Sequence, residues 1–211
     1  MIGLYAIAHG APRGGVGAQG EPLRIVSLSD LDLVCGDPPP ALSADALRAH
    51  DAAVRRIAEA APACLPARFG ASANDEAALL KAMAGREAEL EEALRLVRGR
   101  EQMTLRLHGE TFFTPRPPTS GGPGTRYLEE RRRARALPEL DPLRAALGDL
   151  VHSERVERHA EPGLLASVFH LIDRGASARY RELLAATPLE GLRVTASGPW
   201  PAWSFVPELL P

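Results

Sequence analysis

The 211-residue sequence predicts an α+β protein in two domains. Short apolar strand-like runs alternate with helical segments along the whole chain. The pattern restarts after Gly99-Arg100, and a Pro- and Trp-bearing segment follows the last strand-like run. Hydrophobic residues make up 45% and charged residues 25%, an ordinary globular composition. Aromatics are only 5%, so Ala, Leu and Val must supply most of the core.

Ile2 to Ala8 reads as a strand, closed by His9-Gly10-Ala11-Pro12. Residues 10–22 carry several glycines and two prolines and read as a flexible loop. Leu23–Leu28 and Leu31–Cys35 are two further strands, ended by Pro38-Pro39-Pro40. A helix is expected from Ser43 to Ala60, with Leu47, His50, Val54, Ile57 and Ala61 on one face and Pro62 as its stop. Ala63–Phe69 is a strand candidate ended by Gly70. Ser72 to Asp75 resembles a capping box ahead of one long helix to Arg98, with Leu79, Met83, Leu90, Leu94 and Val97 as its buried stripe.

The second half opens with an alternating strand, Met103–His108. Thr114–Gly124 reads as an exposed, mobile loop and Thr125–Ala136 as a charged helix interrupted at Pro138. Asp141-Pro142 is an N-cap and N1 pair for a helix to about Val151. Arg155–Ala160 and Leu164–Ile172 form a hairpin through Glu161-Pro162-Gly163. A helix over Ala176–Ala186, with Tyr180, Leu183 and Leu184 inward, leads to a last strand, Leu192–Ala196. Strand, helical segment, strand, strand, helix, strand is the βαββαβ order of a ferredoxin-like domain. The expected organisation is an N-terminal mixed α+β domain over 1–100, a ferredoxin-like domain over 101–198 and an aromatic C-terminal tail over 199–211.

The formal net charge is −2, and the 25 basic residues are 24 Arg and one Lys, spread evenly along the chain. Without a basic lobe, electrostatic capture of nucleic acid is not expected. Two cysteines, Cys35 and Cys64, make neither a disulfide framework nor a four-ligand zinc site, and a reducing cytosol is the default compartment. No run reaches the ~18–20 apolar residues of a membrane-spanning helix, so no membrane partner is expected.

Catalytic chemistry is hard to place. The Gly-rich stretch 10–20 leads into a strand through Glu21-Pro22, whereas a P-loop needs Lys-Ser/Thr opening a helix. The six histidines show no metal-ligand spacing. His50 reads as a satisfied core histidine, and His108 and His170 as partly exposed strand residues. No G-x-S-x-G elbow is present, and neither cysteine has a His or Arg neighbour that would activate it. No catalytic site, metal or cofactor is expected. Glu129 to Arg135 reads as the solvated face of a mixed-charge helix. Both tryptophans, Trp200 and Trp203, fall near Phe205 and several prolines. Rings burying ~150–250 Å² each are expected to fold back on the first domain or into an interdomain groove.

Five segments in order resemble the GvpF/GvpL family of gas vesicle proteins. They are Gly3-Leu4-Tyr5-Ala6-Ile7, His50-Asp51-Ala52-Ala53-Val54, Leu65-Pro66-Ala67-Arg68-Phe69-Gly70, Gly124-Thr125-Arg126-Tyr127-Leu128 and Ser197-Gly198-Pro199-Trp200-Pro201-Ala202-Trp203-Ser204-Phe205-Val206. Trp203 stands where that family more usually has Tyr. The resemblance implies an accessory, minor structural protein of gas vesicles, not an enzyme. It implies a role in assembling the shell by binding the shell protein GvpA, with other accessory proteins as further partners. It also implies a place on the shell of this cytoplasmic organelle, and it agrees with a ferredoxin-like second domain. Arg68, Phe69, Tyr127, Trp200, Trp203 and Phe205 are then the candidate structural or partner-contact residues. Phe69 is expected in the core, and Arg68 paired with a carboxylate or with carbonyls. The rival from another class is a ferredoxin-like regulator that binds a small molecule.

Overall fold

A computed structural model describes residues 1–109, 137–159 and 163–210. The loop expected over 114–124, the charged helix to Ala136 with Tyr127, and the turn at Glu161-Pro162 lie outside the described residues. Contacts divide the chain into two compact units, Met1–Glu101 with Trp200–Pro211, and Gln102–Pro199.

The first unit is built on a sheet of β1 (Ile2–His9), β2 (Arg24–Leu28), β3 (Leu31–Gly36), β4 (Ala63–Pro66) and the short β5 (Ser72–Ala73). The order is β2-β3-β1-β4, with β5 also paired to β1. Every residue of β1 up to Ala8 is buried, as expected of a strand covered on both faces. Helix α1 (Ala44–Ala60) starts at the Ser43 N-cap, whose hydroxyl accepts from the Ala46 amide. Its buried side, Ala53, Val54 and Ile57, packs with Ala6, Ala8 and Val34. A register shift between Leu4 and Ala6 inserts Tyr5 into β1 as a bulge, and Tyr5 joins Ala6 in the same cluster.

Three local expectations are corrected here. Leu47 is 44% exposed and not on the buried face. It lies in the first turn after the Ser43 cap, ahead of the buried residues His50, Ala53, Val54 and Ile57. The long helix is two, α2 (Glu76–Met83) and α3 (Glu87–Val97). Gly85 at φ +80° separates them, a conformation the helix cannot propagate through. Asp75 alone caps α2, accepting from the Ala78 amide, while Ser72 belongs to β5.

The second unit carries a sheet of β6 (Arg100–His108), β7 (Val151–Arg158), β8 (Leu164–Asp173) and β9 (Arg193–Trp200), ordered β7-β8-β6-β9. In order of appearance that is 2-3-1-4, the ferredoxin-like strand order. Helix α4 (Asp141–Leu147) and α5 (Ser177–Ala186) supply Leu143, Leu147 and Tyr180 to a core with Met103, Leu105, Val168 and Ile172. The cap of α4 is Leu140, one residue before the expected Asp141, and the helix ends at Leu147 rather than near Val151. The last strand also runs further than expected, through Pro199 to Trp200. It lies at the sheet edge, where a residue without an N–H is tolerated.

Candidate functional site

The five-stranded sheet, together with the returning tail, gathers most of the candidate residues in the first unit. β4 ends at Pro66, earlier than the strand expected to Phe69. The chain then turns back, with the Ala71 amide donating to the Arg68 carbonyl at 3.1 Å. Gly70 holds φ +95°. A positive φ at the third position of a four-residue turn is what type II geometry demands, and only glycine takes it without strain. The Arg-Phe-Gly triplet is therefore first a turn. The Ala67 amide donates to the Tyr5 carbonyl at 2.8 Å and the Leu4 amide to the Ala71 carbonyl at 2.9 Å, which ties the turn to β1 at both ends.

Phe69 is half-buried rather than a core residue, because the turn sets it over the surface of the sheet. It meets the His50 ring edge-on at 5.6 Å, and His50 stacks on Tyr5 at 5.1 Å. His50 Nε2–H donates to the Ala67 carbonyl at 2.9 Å. Burial lowers the His50 pKa, opposed by that hydrogen bond, so the ring is neutral at neutral pH. A buried, neutral, satisfied imidazole is a structural one.

The Gly-rich loop is pinned by its own carboxylate. Glu21 is buried and accepts from Tyr5 Oη at 2.7 Å and from the Gln19 amide at 2.8 Å. The Ala18 amide in turn donates to Tyr5 Oη at 2.8 Å. Burial pushes the Tyr5 phenol up to about 12, while the donors around Glu21 outweigh its own desolvation and hold its carboxyl below the usual range. A phosphate would meet a resident anion at the loop's amides, which supports the reading of this stretch as no phosphate cradle. The loop is also not free of the body, because any Cβ at Gly17 or Gly36 would collide with the Glu21 carboxylate.

The tail enters from β9. The Arg55 guanidinium lies 4.1 Å from the centre of the Trp200 ring, and its Nε donates to Asp51 at 2.7 Å. A 3₁₀ turn over Trp203–Phe205 packs on β4, with Trp203 half-buried against the α1-side cluster and Phe205 buried. Beyond it, Arg86 donates to the carbonyls of Glu208 at 2.7 Å and Leu209 at 3.1 Å. Arg68 and Trp203 line one groove of about 180 Å³ with the segment Val206–Leu210. Phe69 lines a neighbouring cleft with Tyr5 and His50. Arg68 is exposed and, contrary to expectation, its side chain has no carboxylate or carbonyl partner among the described residues.

Sequence reasoning missed Arg55, Arg86 and Glu21, whose partners lie far along the chain or on the backbone. It also missed a network in the second unit. Arg144 donates to Glu154 at 2.8 Å, His170 Nε2–H donates to Glu154 at 3.0 Å, and Tyr180 Oη bonds His170 Nδ1 at 2.7 Å. His170 is 2% exposed, not the partly exposed residue expected, because α5 sets Tyr180 against it. Desolvation raises the Glu154 pKa, but the His170 and Arg144 hydrogen bonds prevail and bring it down to about 2. Burial pushes the Tyr180 phenol up. A carboxylate locked ionised beside a locked phenol suits a structural tie and not proton transfer near neutral pH. Among the described residues no group of three or more His, Cys, Asp or Glu side chains could hold a metal ion. None of their helices is long and apolar enough to cross a membrane.

Two α+β units, the second with ferredoxin-like strand order, and a tail that returns to the first define a recognisable architecture. The crystal structure of the gas vesicle protein GvpF from Anabaena sp. PCC7120 superposes with a TM-score of 0.73 at 12% identity, covering 98% of this chain and 95% of that one. GvpF from Microcystis aeruginosa gives 0.74 at 13% identity, covering 97% and 98%. These likenesses show the fold. Gas vesicle protein L of Streptomyces sp. (strain CB03234) is 27% identical over 92% of this chain and 86% of its own length. The model of the family described as gas vesicle synthesis protein GvpL/GvpF matches residues 2–207, and the chain belongs to that family.

Proposed function

We propose that the protein is an accessory component of gas vesicles that acts in assembly of the shell by binding the shell protein GvpA, without catalysing a reaction. Family membership over residues 2–207 carries this reading. A role among gas vesicle components follows from the family; GvpA as the direct partner, shell association and a non-catalytic mode of action are the proposal. The polar groups of the first unit support it, since Glu21, His50 and Tyr5 are consumed in holding the sheet and loop together. The partner surface proposed in the first unit is the exposed Arg68 with the half-buried Phe69, Trp200 and Trp203; Tyr127, outside the described residues, is proposed as a further contact from the sequence alone. Phe205, being buried, is assigned a structural role. The domain limits proposed are 1–100, 101–198 and the tail 199–211.

The test is co-purification of the tagged chain with GvpA produced in the same cells, against an equal level of an unrelated tagged protein. GvpA retained by this chain alone is the expected result. Absence of GvpA from the eluate, with both proteins present in the lysate, overturns the reading.

A further inference from the structure

The groove between the Arg68 turn and the tail has the composition of a peptide site. Its walls are Pro66, Trp203, Val206, Pro207 and Leu209, and its one basic side chain is Arg68. Two observations say what it would take. The first is charge. Arg68 is exposed and has no side-chain partner among the described residues, while Glu208 on the same groove makes no ion pair with it. The guanidinium thus presents a planar fork of donors that fits a carboxylate in two-point contact. The second is backbone. Val206 has extended dihedrals, φ −93° and ψ 137°. Arg86 grips the segment by the carbonyls of Glu208 and Leu209, and no partner among the described residues takes the segment's amides at Val206, Glu208 and Leu210. Held at its far end and extended at Val206, with amides left open, the segment offers a second extended chain a place to pair.

We infer that this groove binds an extended segment of a partner protein in which an aspartate or glutamate is flanked by apolar residues. The carboxylate meets Arg68, and an apolar neighbour lies on Trp203. Charge complementarity selects the acid, the Pro, Val and Leu walls select the apolar flank, and the open amides select the extended backbone. The inference stands on the groove alone and does not depend on GvpA being the protein that supplies the segment.

The probe is the pentapeptide acetyl-Val-Leu-Glu-Leu-Val-amide, titrated into the full chain while the indole N–H resonance of Trp203 is followed by NMR. Its counterpart with Gln in place of Glu is titrated in parallel. A saturable shift with the Glu peptide at least tenfold tighter than the Gln peptide is expected. Arg68→Gln should abolish that preference, and Arg68→Lys should keep part of it. Equal affinities for the two peptides, or no shift of the Trp203 resonance, overturn the inference. So does sodium acetate matching the peptide at equal concentration, since that would mean a bare anion site. The Gln-peptide comparison on the unmodified chain decides the matter even if Arg68→Gln fails to fold.

Discussion

Glu154 shows how one residue can set the acid limit of a domain. Its carboxylate is held ionised by Arg144 and His170, with a folded pKa near 2 against an ordinary value of 4.5. A depressed carboxyl contributes stability above its unfolded pKa and loses it as pH falls through the folded one. The difference in urea stability between the unmodified chain and Glu154→Gln should therefore be constant near neutral pH and shrink between pH 4.5 and about 2. We expect the variant to lose ~2 kcal/mol at pH 7, since an amide keeps the shape but not the charge. A gap that does not change with pH would show that the ion pair contributes nothing beyond packing. Phe69 makes the opposite point. Truncating a fully buried Phe costs ~3–5 kcal/mol, but Phe69 is half-buried with one face on His50, so Phe69→Ala should cost only about 1–2 kcal/mol in thermal unfolding. The sequence could not distinguish these cases. A ring before a glycine looks like a strand's last core residue, and the turn that lifts it appears only once Gly70 is seen at φ +95°.

Elements were legible where local chemistry and tertiary demand agreed. β1 is continuously apolar and is covered on both faces; the Ser43 cap begins α1 as its hydroxyl suggests. The failures are places where a local rule had two readings. The stripe Leu79, Met83, Leu90, Leu94, Val97 is buried throughout, yet it belongs to two helices, because a hydrophobic period survives a break when both pieces pack on one sheet. Leu47 sits at helical spacing but is left exposed near the helix start. The last strand runs past Ala196 to Trp200, because an edge position admits Pro199. Gly85 offers a clean test of the break. A Cβ there meets nothing within 4 Å, so any penalty is conformational. Gly85→Ala should cost about 1–2 kcal/mol by urea unfolding, with helix content by circular dichroism unchanged. A neutral or stabilising result would mean that α2 and α3 can fuse into the single helix that the periodicity suggests.

At the scale of the whole molecule the tail packs on the first unit, where its cluster of aromatic rings is expected to go; what the sequence does not show is how it is held there. β4 stands at the end of its sheet order, and Trp203–Phe205 pack on it from more than a hundred residues downstream. Phe205 and Leu209 are buried in the first unit, and Arg86 ties the end of the tail by two backbone carbonyls that have no sequence signature. The first unit is therefore incomplete until the last residues of the chain are available. A fragment spanning 1–101 should fold with reduced stability, because it leaves the β4 edge and the cluster around Val54 and Ile57 uncovered on the side Trp203 occupies. Adding a synthetic peptide of residues 200–210 in trans should raise its melting temperature in proportion to the logarithm of peptide concentration, as for any ligand that binds only the folded state. The same peptide with Phe205→Ala should bind far more weakly, since a buried Phe is worth ~3–5 kcal/mol and each 1.4 kcal/mol is tenfold in affinity. If instead fragment 1–101 unfolds at the same urea midpoint with and without the peptide, the tail adds nothing to the unit it packs on, and its aromatic residues would have to be explained by a partner alone.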